Sequence, residues 1–211
     1  FEYEDLETTS SASNILKKQE GNYYSTEFGY NLLYDLRNQS FDPTDGFYSR
    51  FNQTLPLFSS NYSIYSNYDF KTYHEFSEQF VGSFSLYLAA INSIDGDDVL
   101  ISDRINLPSK RLKGFEKGKV GPKDGNEFIG GNYASAVSLN TTLPKILPDV
   151  QALEIGLFLD AGNVWSVDYD SSLDNSKLRS STGITLDYFT PIGPINFVLS
   201  QPISKSDSDV T

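Results

Sequence analysis

Histidine occurs once in this chain, at position 74, while cysteine and methionine are absent. Without cysteine there is no disulfide framework and no thiolate metal site. His74 has no companion at metal-ligand spacing, and no Gly-x-Ser-x-Gly elbow exists, so neither a zinc centre nor a nucleophile–base pair is spelled out. It reads as a surface residue beside a short turn. Glu75, Glu78, Asp95, Asp97 and Asp98 offer oxygen ligands, but they lack the Asp-x-Asp-x-Asp-Gly spacing with a distal Glu that wraps calcium. They read as solvated loop charges, or as loops near the bridging cations of lipopolysaccharide. No catalytic residue, metal or cofactor is expected. What remains are charges that could hold parts of the chain together: Arg111 and Lys113 in a long polar segment, and Asp160 in an alternating one.

The balance of charge narrows the classes further. Sixteen Lys and Arg against 28 Asp and Glu give a net charge of −12 over 211 residues. Nucleic acid needs a basic surface, so it is excluded as a partner. No run of 18 apolar residues is present, and the N-terminus lacks a charged-then-apolar leader. Mean hydropathy is negative. A hydropathy plot therefore reads soluble, but a barrel defeats that plot because only alternate residues face lipid. Phe1 begins inside a patterned stretch with no initiator Met, which reads as a cut in a longer protein.

The elements that must position these charges are strands. Period-two alternation dominates. In 24–35, Tyr24, Phe28, Tyr30, Leu32 and Tyr34 share one parity against Ser25, Glu27, Gly29 and Asn31. The same alternation marks 64–72, 83–90, 153–160, 178–188 and 195–199, and more weakly 47–57 and 129–142. Residues 1–7 read as the end of one more strand. That predicts about eight strands and a stub. Asp160 shares its face with Glu154 and Gly156, opposite Leu157 and Leu159. Short connections carry turn residues at 42–46, 143–149 and 191–194; long ones fall at about 8–22, 93–128 and 161–177. Short turns at one end and long loops at the other suit a membrane barrel. A soluble antiparallel sandwich with one wet face predicts the same alternation with shorter strands.

Particular residues carry a resemblance. In order they are Leu112-Lys113-Gly114-Phe115, Phe158-Leu159-Asp160-Ala161-Gly162-Asn163-Val164-Trp165, Arg179-Ser180-Ser181-Thr182-Gly183 and Pro191-Ile192-Gly193-Pro194. As a set they resemble the C-terminal barrel of the Omp85 superfamily, most strongly over 105–203. Phe41 to Gly46 resembles a periplasmic turn of that family. The resemblance implies an all-β antiparallel transmembrane β-barrel of about sixteen strands, here in part. It implies a long loop at about 93–128 folded back into the barrel, with periplasmic POTRA domains and a final strand outside residues 1–211.

The family's loop motif usually carries Arg where this chain has Lys113, and that Arg meets acids on the inner wall. Carried over, the wall positions are Asp160 and Asn140, the latter standing where some members have Glu. Lys cannot make Arg's planar bidentate pair, so a single Lys113–Asp160 contact is expected, with Arg111 as an alternative partner for the acid. Gly162, Gly183 and Gly114 read as turn or bulge glycines, Gly162 letting the strand of Asp160 bend, and Trp165 as an interface aromatic. The implied function is assembly and insertion of outer-membrane β-barrel proteins, as the central subunit of a barrel assembly machinery. The implied partners are unfolded client proteins, accessory lipoproteins reached through POTRA domains, and outer-membrane lipid. A related translocator (two-partner secretion or TamA-type) and a plain porin-like barrel remain as alternatives.

Overall fold

A computed structural model describes residues 1–10, 12–78, 80–144, 153–190 and 193–211. Its strands are β1 (Glu2–Leu6), β2 (Gly21–Asp35), β3 (Gly46–Ser59), β4 (Ser63–Ser77), β5 (Phe80–Ser93), β6 (Lys123–Asp124), β7 (Glu127–Phe128), β8 (Tyr133–Thr142), β9 (Leu153–Trp165), β10 (Arg179–Thr190) and β11 (Gly193–Ser204). One helical turn, α1 (Asn14–Lys17), lies between β1 and β2. Nine strands form a single antiparallel sheet in the order β1-β2-β3-β4-β5-β8-β9-β10-β11; β6 and β7 form a small hairpin inside the longest loop. The sheet is an open wall related to a partial barrel, with β1 and β11 at its edges.

Alternation sets the two faces. Tyr24, Phe28, Leu32, Leu88, Leu157 and Leu199 are exposed on the outer one, whereas Asp160, Ser181 and Tyr87 are buried on the inner one. An apolar exposed face on one side and a polar buried face on the other is the barrel arrangement, not that of a sandwich core. Aromatics cluster towards both ends of the outer face. Near the turns, ring contacts run from Tyr34 to Phe47, Phe70 and Phe84 at 5.8–6.5 Å between centroids. At the loop end Trp165 lies 6.0 Å from Tyr133. Amphipathic rings favour the membrane–water boundary, which these two bands would mark.

The strands extend beyond the alternating stretches. β4 runs on to Ser77 and β5 starts at Phe80, because main-chain pairing continues through His74 and Glu75 after the side-chain pattern fades. β9 runs to Trp165, so the loop expected at 161–177 begins after that residue. Conversely, β8 begins at Tyr133, and residues 129–132 belong to the preceding loop, where Ile129 is buried. That loop therefore spans 94–132 and not 93–128. The turn of 36–45 closes on Asn38, which accepts from the amides of Thr44 and Asp45. Of the other expected turns, 145–149 and 191–192 lie outside the described residues.

Loop 94–132 lies against the concave face. Val99, Ile105, Leu107, Leu112, Phe115 and Val120 from the loop pack against Tyr87, Ala89, Ile91, Ala134, Ala136 and Val164 from the wall. The upper inner wall is thus apolar, built of small side chains where the loop needs room. Gly162 belongs here: a Cβ would come 2.9 Å from the Ser135 carbonyl oxygen and 3.1 Å from Leu107. A Cβ at this position would crowd both β8 and the loop, and β9 stays paired through Gly162 to both neighbours.

Candidate functional site

The tip of the long loop begins with Pro108, whose extended backbone leads into a 3-10 turn over Ser109–Arg111. Leu112 and Phe115 then bury in the loop's core. Between them, Gly114 adopts φ +89°, a left-handed conformation, and a Cβ there would sit 2.7 Å from the Ser200 hydroxyl. Glycine alone satisfies both constraints. The reversal aims Lys113 at Asp160 on β9 while its two apolar neighbours stay in the cluster shared by loop and wall.

Asp160 receives it. The carboxylate is fully buried and accepts from the Lys113 amide at 2.9 Å and the Lys113 ammonium at 3.0–3.1 Å. The hydroxyl of Ser138, its rung partner on β8, donates to it as well. The ammonium also donates to Asn140 Oδ1 at 3.3 Å and stands 4.4 Å above the Phe158 ring. Ser181 on β10 donates to the Lys113 carbonyl. A single loop residue is thereby held by β8, β9 and β10. The rung below is Asn140–Phe158–Gly183; Gly183 leaves space for the Phe158 ring, which would be 2.8 Å from any Cβ.

Arg111 takes another partner. Its guanidinium pairs with Asp69 on β4 and stacks 4.8 Å over Tyr87. It is not the ligand of Asp160, because the 3-10 turn carries it towards β4 and β5 and away from β9.

Arg179, the first residue of β10, forms a fully buried fork with Asp209: Nε to Oδ2 at 2.9 Å and an NH2 to Oδ1 at 3.0 Å. Its other donors reach Asn163, the Lys177 carbonyl and Ser206. This folds residues 205–211 inward, and Val210 exchanges main-chain bonds with Glu116 and Lys119 at the loop tip. A second hub lies nearer the loop end. Arg104 is buried between Asp168, Asn132 and the Tyr169 ring. Burial works against ionisation of Asp168, but hydrogen bonds from Asn132 and the Val99 amide, with the Arg104 charge, hold its carboxyl below the ordinary range.

Sequence reasoning missed Asp69, Arg104, Asp168 and Asp209. Asp209 stands in the run Ser206-Asp207-Ser208-Asp209, whose composition alone suits a solvated segment. The only local cue was the buried-face parity of Arg179, which requires an anion. Of the other residues singled out, Gly193 opens β11 with φ +131° and open space beside it, and Pro194 follows in the strand. His74 is exposed at 3.9 Å from Asp45. Asp95 accepts from the amide of Tyr62, in the turn between β3 and β4, and from the hydroxyl of Ser93 at the end of β5.

Known proteins share this architecture. The family model "Omp85 superfamily domain" matches residues 1–211. The chain belongs to the Omp85 superfamily. Its homology is BamA-like over much of its length. It is similar to the crystal structure of BamA from Haemophilus ducreyi lacking POTRA domains 1–3, with a TM-score of 0.79 and 25% identity over 87% of this chain and 40% of that one. It is 28% identical to the SAM50-like protein SPAC17C9.06 of Schizosaccharomyces pombe, covering 96% of this chain and 45% of that protein. It is 27% identical to the outer membrane protein assembly factor BamA of Neisseria meningitidis over 46% of this chain and 16% of that protein. The chain thus spans less than half the length of these curated relatives. Its homology is to a family of non-catalytic, outer-membrane proteins.

Proposed function

We propose that residues 1–211 are barrel wall from an assembly factor that folds and inserts outer-membrane β-barrel proteins, the central subunit of a barrel assembly machinery. The observation that supports this most is the loop tip held on the inner wall by Lys113 and Asp160, within a chain whose relatives are named for outer-membrane protein assembly. A barrel spans the bilayer because closure leaves no unpaired strand edge. If a seam in the complete barrel parts, the free edge pairs with a client strand by β-augmentation, and each added strand exposes the next edge. Such templating needs no nucleotide, since burial of the client's strands drives it. The partners are unfolded clients, the surrounding lipid, and accessory lipoproteins on POTRA domains of the complete protein.

Tying the loop inside has a physical use in this scheme. It fills the lumen at the loop end and fastens β8, β9 and β10 to one another, so that a seam elsewhere can open without the wall fraying. A sorting-and-assembly reading, in the sense of the SAM50-like relative, is favoured by that relative's coverage of 96% of the chain; it shares the same chemistry. The test is reconstitution of the full-length protein in nucleotide-free vesicles with a urea-unfolded barrel client. Faster acquisition of heat-modifiable, protease-protected client than in protein-free vesicles is expected. No acceleration, or transport of a soluble passenger instead, would favour the translocator or porin alternative.

A further inference from the structure

The inner wall beside the loop tip carries cations that neither the loop contact nor the seam mechanism uses. A cavity of about 270 Å³ lies between β3, β4, β5, β8 and the 3-10 turn, bordered by Tyr48, Lys71, Ser85, Lys110, Arg111 and Lys113. Through Lys71, Lys110 and Lys113 it joins a larger lumenal space of about 740 Å³, which Asp42, Glu154 and Asp187 also border, so the excess of cations is confined to the smaller cavity. Two of the bordering cations are matched: Arg111 by Asp69 and Lys113 by Asp160. Lys71 and Lys110 have no carboxylate partner among the described residues; Lys71 rests its ammonium 4.7 Å from the Tyr73 ring. The pocket thus holds an excess of positive charge inside a chain whose net charge is −12.

A second observation points the same way. The Nε of Arg111 is buried and has no hydrogen-bond partner. An unmatched buried donor on a guanidinium is costly, and it leaves one N–H of Arg111 without an acceptor. Ser85 on the same wall is also buried. Two free ammonium groups, an under-used guanidinium and hydroxyls around a small cavity form a receptor for a compact anion with several acceptor oxygens.

We propose that this pocket binds a small oxyanion of the phosphate class from the aqueous lumen. The volume admits such an ion together with water. Its lining comes from inward-facing residues, so a lipid headgroup would have to cross the wall to reach it. The bound anion would bridge the 3-10 turn to β4 and add to the loop's attachment there. It is independent of the assembly reading, because it rests on the pocket's own charges.

The test is phosphorus NMR of the full-length protein in zwitterionic detergent with inorganic phosphate, at ionic strength fixed with chloride. Saturable line broadening is expected, with Lys71→Gln and Lys110→Gln each weakening phosphate at least tenfold. Lys117→Gln, outside the cavity, serves as the folded control and should bind as the parent does. Absence of saturable broadening, or equal weakening by all three variants, would overturn the proposal. Repeating the titration in bicelles with and without anionic phospholipid separates the sources. Displacement of phosphate by the lipid would overturn the assignment to a free lumenal ion; unchanged binding supports it.

Discussion

Asp160→Ala is the sharpest perturbation of the loop contact. The carboxylate is fully buried and receives three donors: the Lys113 amide, the Lys113 ammonium and the Ser138 hydroxyl. Lys113 keeps only 14% of its side chain exposed, so its charge cannot simply return to water. Removing one partner of a buried pair costs about 3–5 kcal/mol, because the other is left uncompensated. The remaining Asn140 acceptor and the Phe158 ring recover part of that, which places the loss near the lower bound, roughly a hundredfold in the equilibrium for lifting the loop tip. Hydrogen exchange on the full-length protein reads this directly. Peptides over 107–120 should exchange about a hundredfold faster in Asp160→Ala, while the paired strands β3 and β4 keep their protection. Lys113→Met with Asp160→Leu should recover much of the loss, since an apolar pair of similar volume leaves no orphaned charge. Unchanged protection in the single variant, or a double variant worse than the single, would refute this reasoning.

Other expectations follow from the same contacts. Asp209→Asn should release residues 205–211, because the Arg179 guanidinium loses its buried fork; trypsin should then cut at Lys205 while the parent resists. Gly183→Ala should destabilise the wall by about 1–3 kcal/mol or more, as expected of overpacking, because a Cβ there meets the Leu199 carbonyl oxygen as well as the Phe158 ring. Gly29→Ala, where a Cβ meets only ordinary contacts at 3.7 Å and beyond, should leave heat-modifiability unchanged. The depressed carboxyl of Asp168 contributes stability that is present above the unfolded carboxylate range and lost as pH falls through its lower folded value. Thermal midpoints should therefore fall below about pH 4, and Asp168→Asn should flatten that part of the profile.

The strands and their facing were legible because a barrel wall writes its two environments into alternate residues. Tyr24 to Asp35 shows this across a whole strand. The pattern failed where both environments were apolar. Ala161 to Trp165 in β9 and Ala89 to Ile91 in β5 bury inward-facing residues beneath the loop, so alternation could not mark their limits. Main-chain pairing past Tyr73 also leaves no side-chain record. At the candidate site, Lys113 and Asp160 came from the resemblance together with the parity of Asp160. Arg104–Asp168 and Arg179–Asp209 join residues 64 and 30 positions apart, and spacing carries no signal for such pairs. Asp209 shows the general difficulty: a carboxylate in a serine-rich acidic run looks solvated until the fold supplies its guanidinium.

The central claim is that an assembly factor of this type works with its loop tip tied to the inner wall. The initial rate of client insertion by full-length Asp160→Ala in vesicles, compared with the parent at equal amounts of heat-modifiable, folded barrel, tests it most directly. At least a tenfold slower rate from an intact barrel is predicted. Parent-like insertion by an equally folded Asp160→Ala protein whose loop has come free would contradict it.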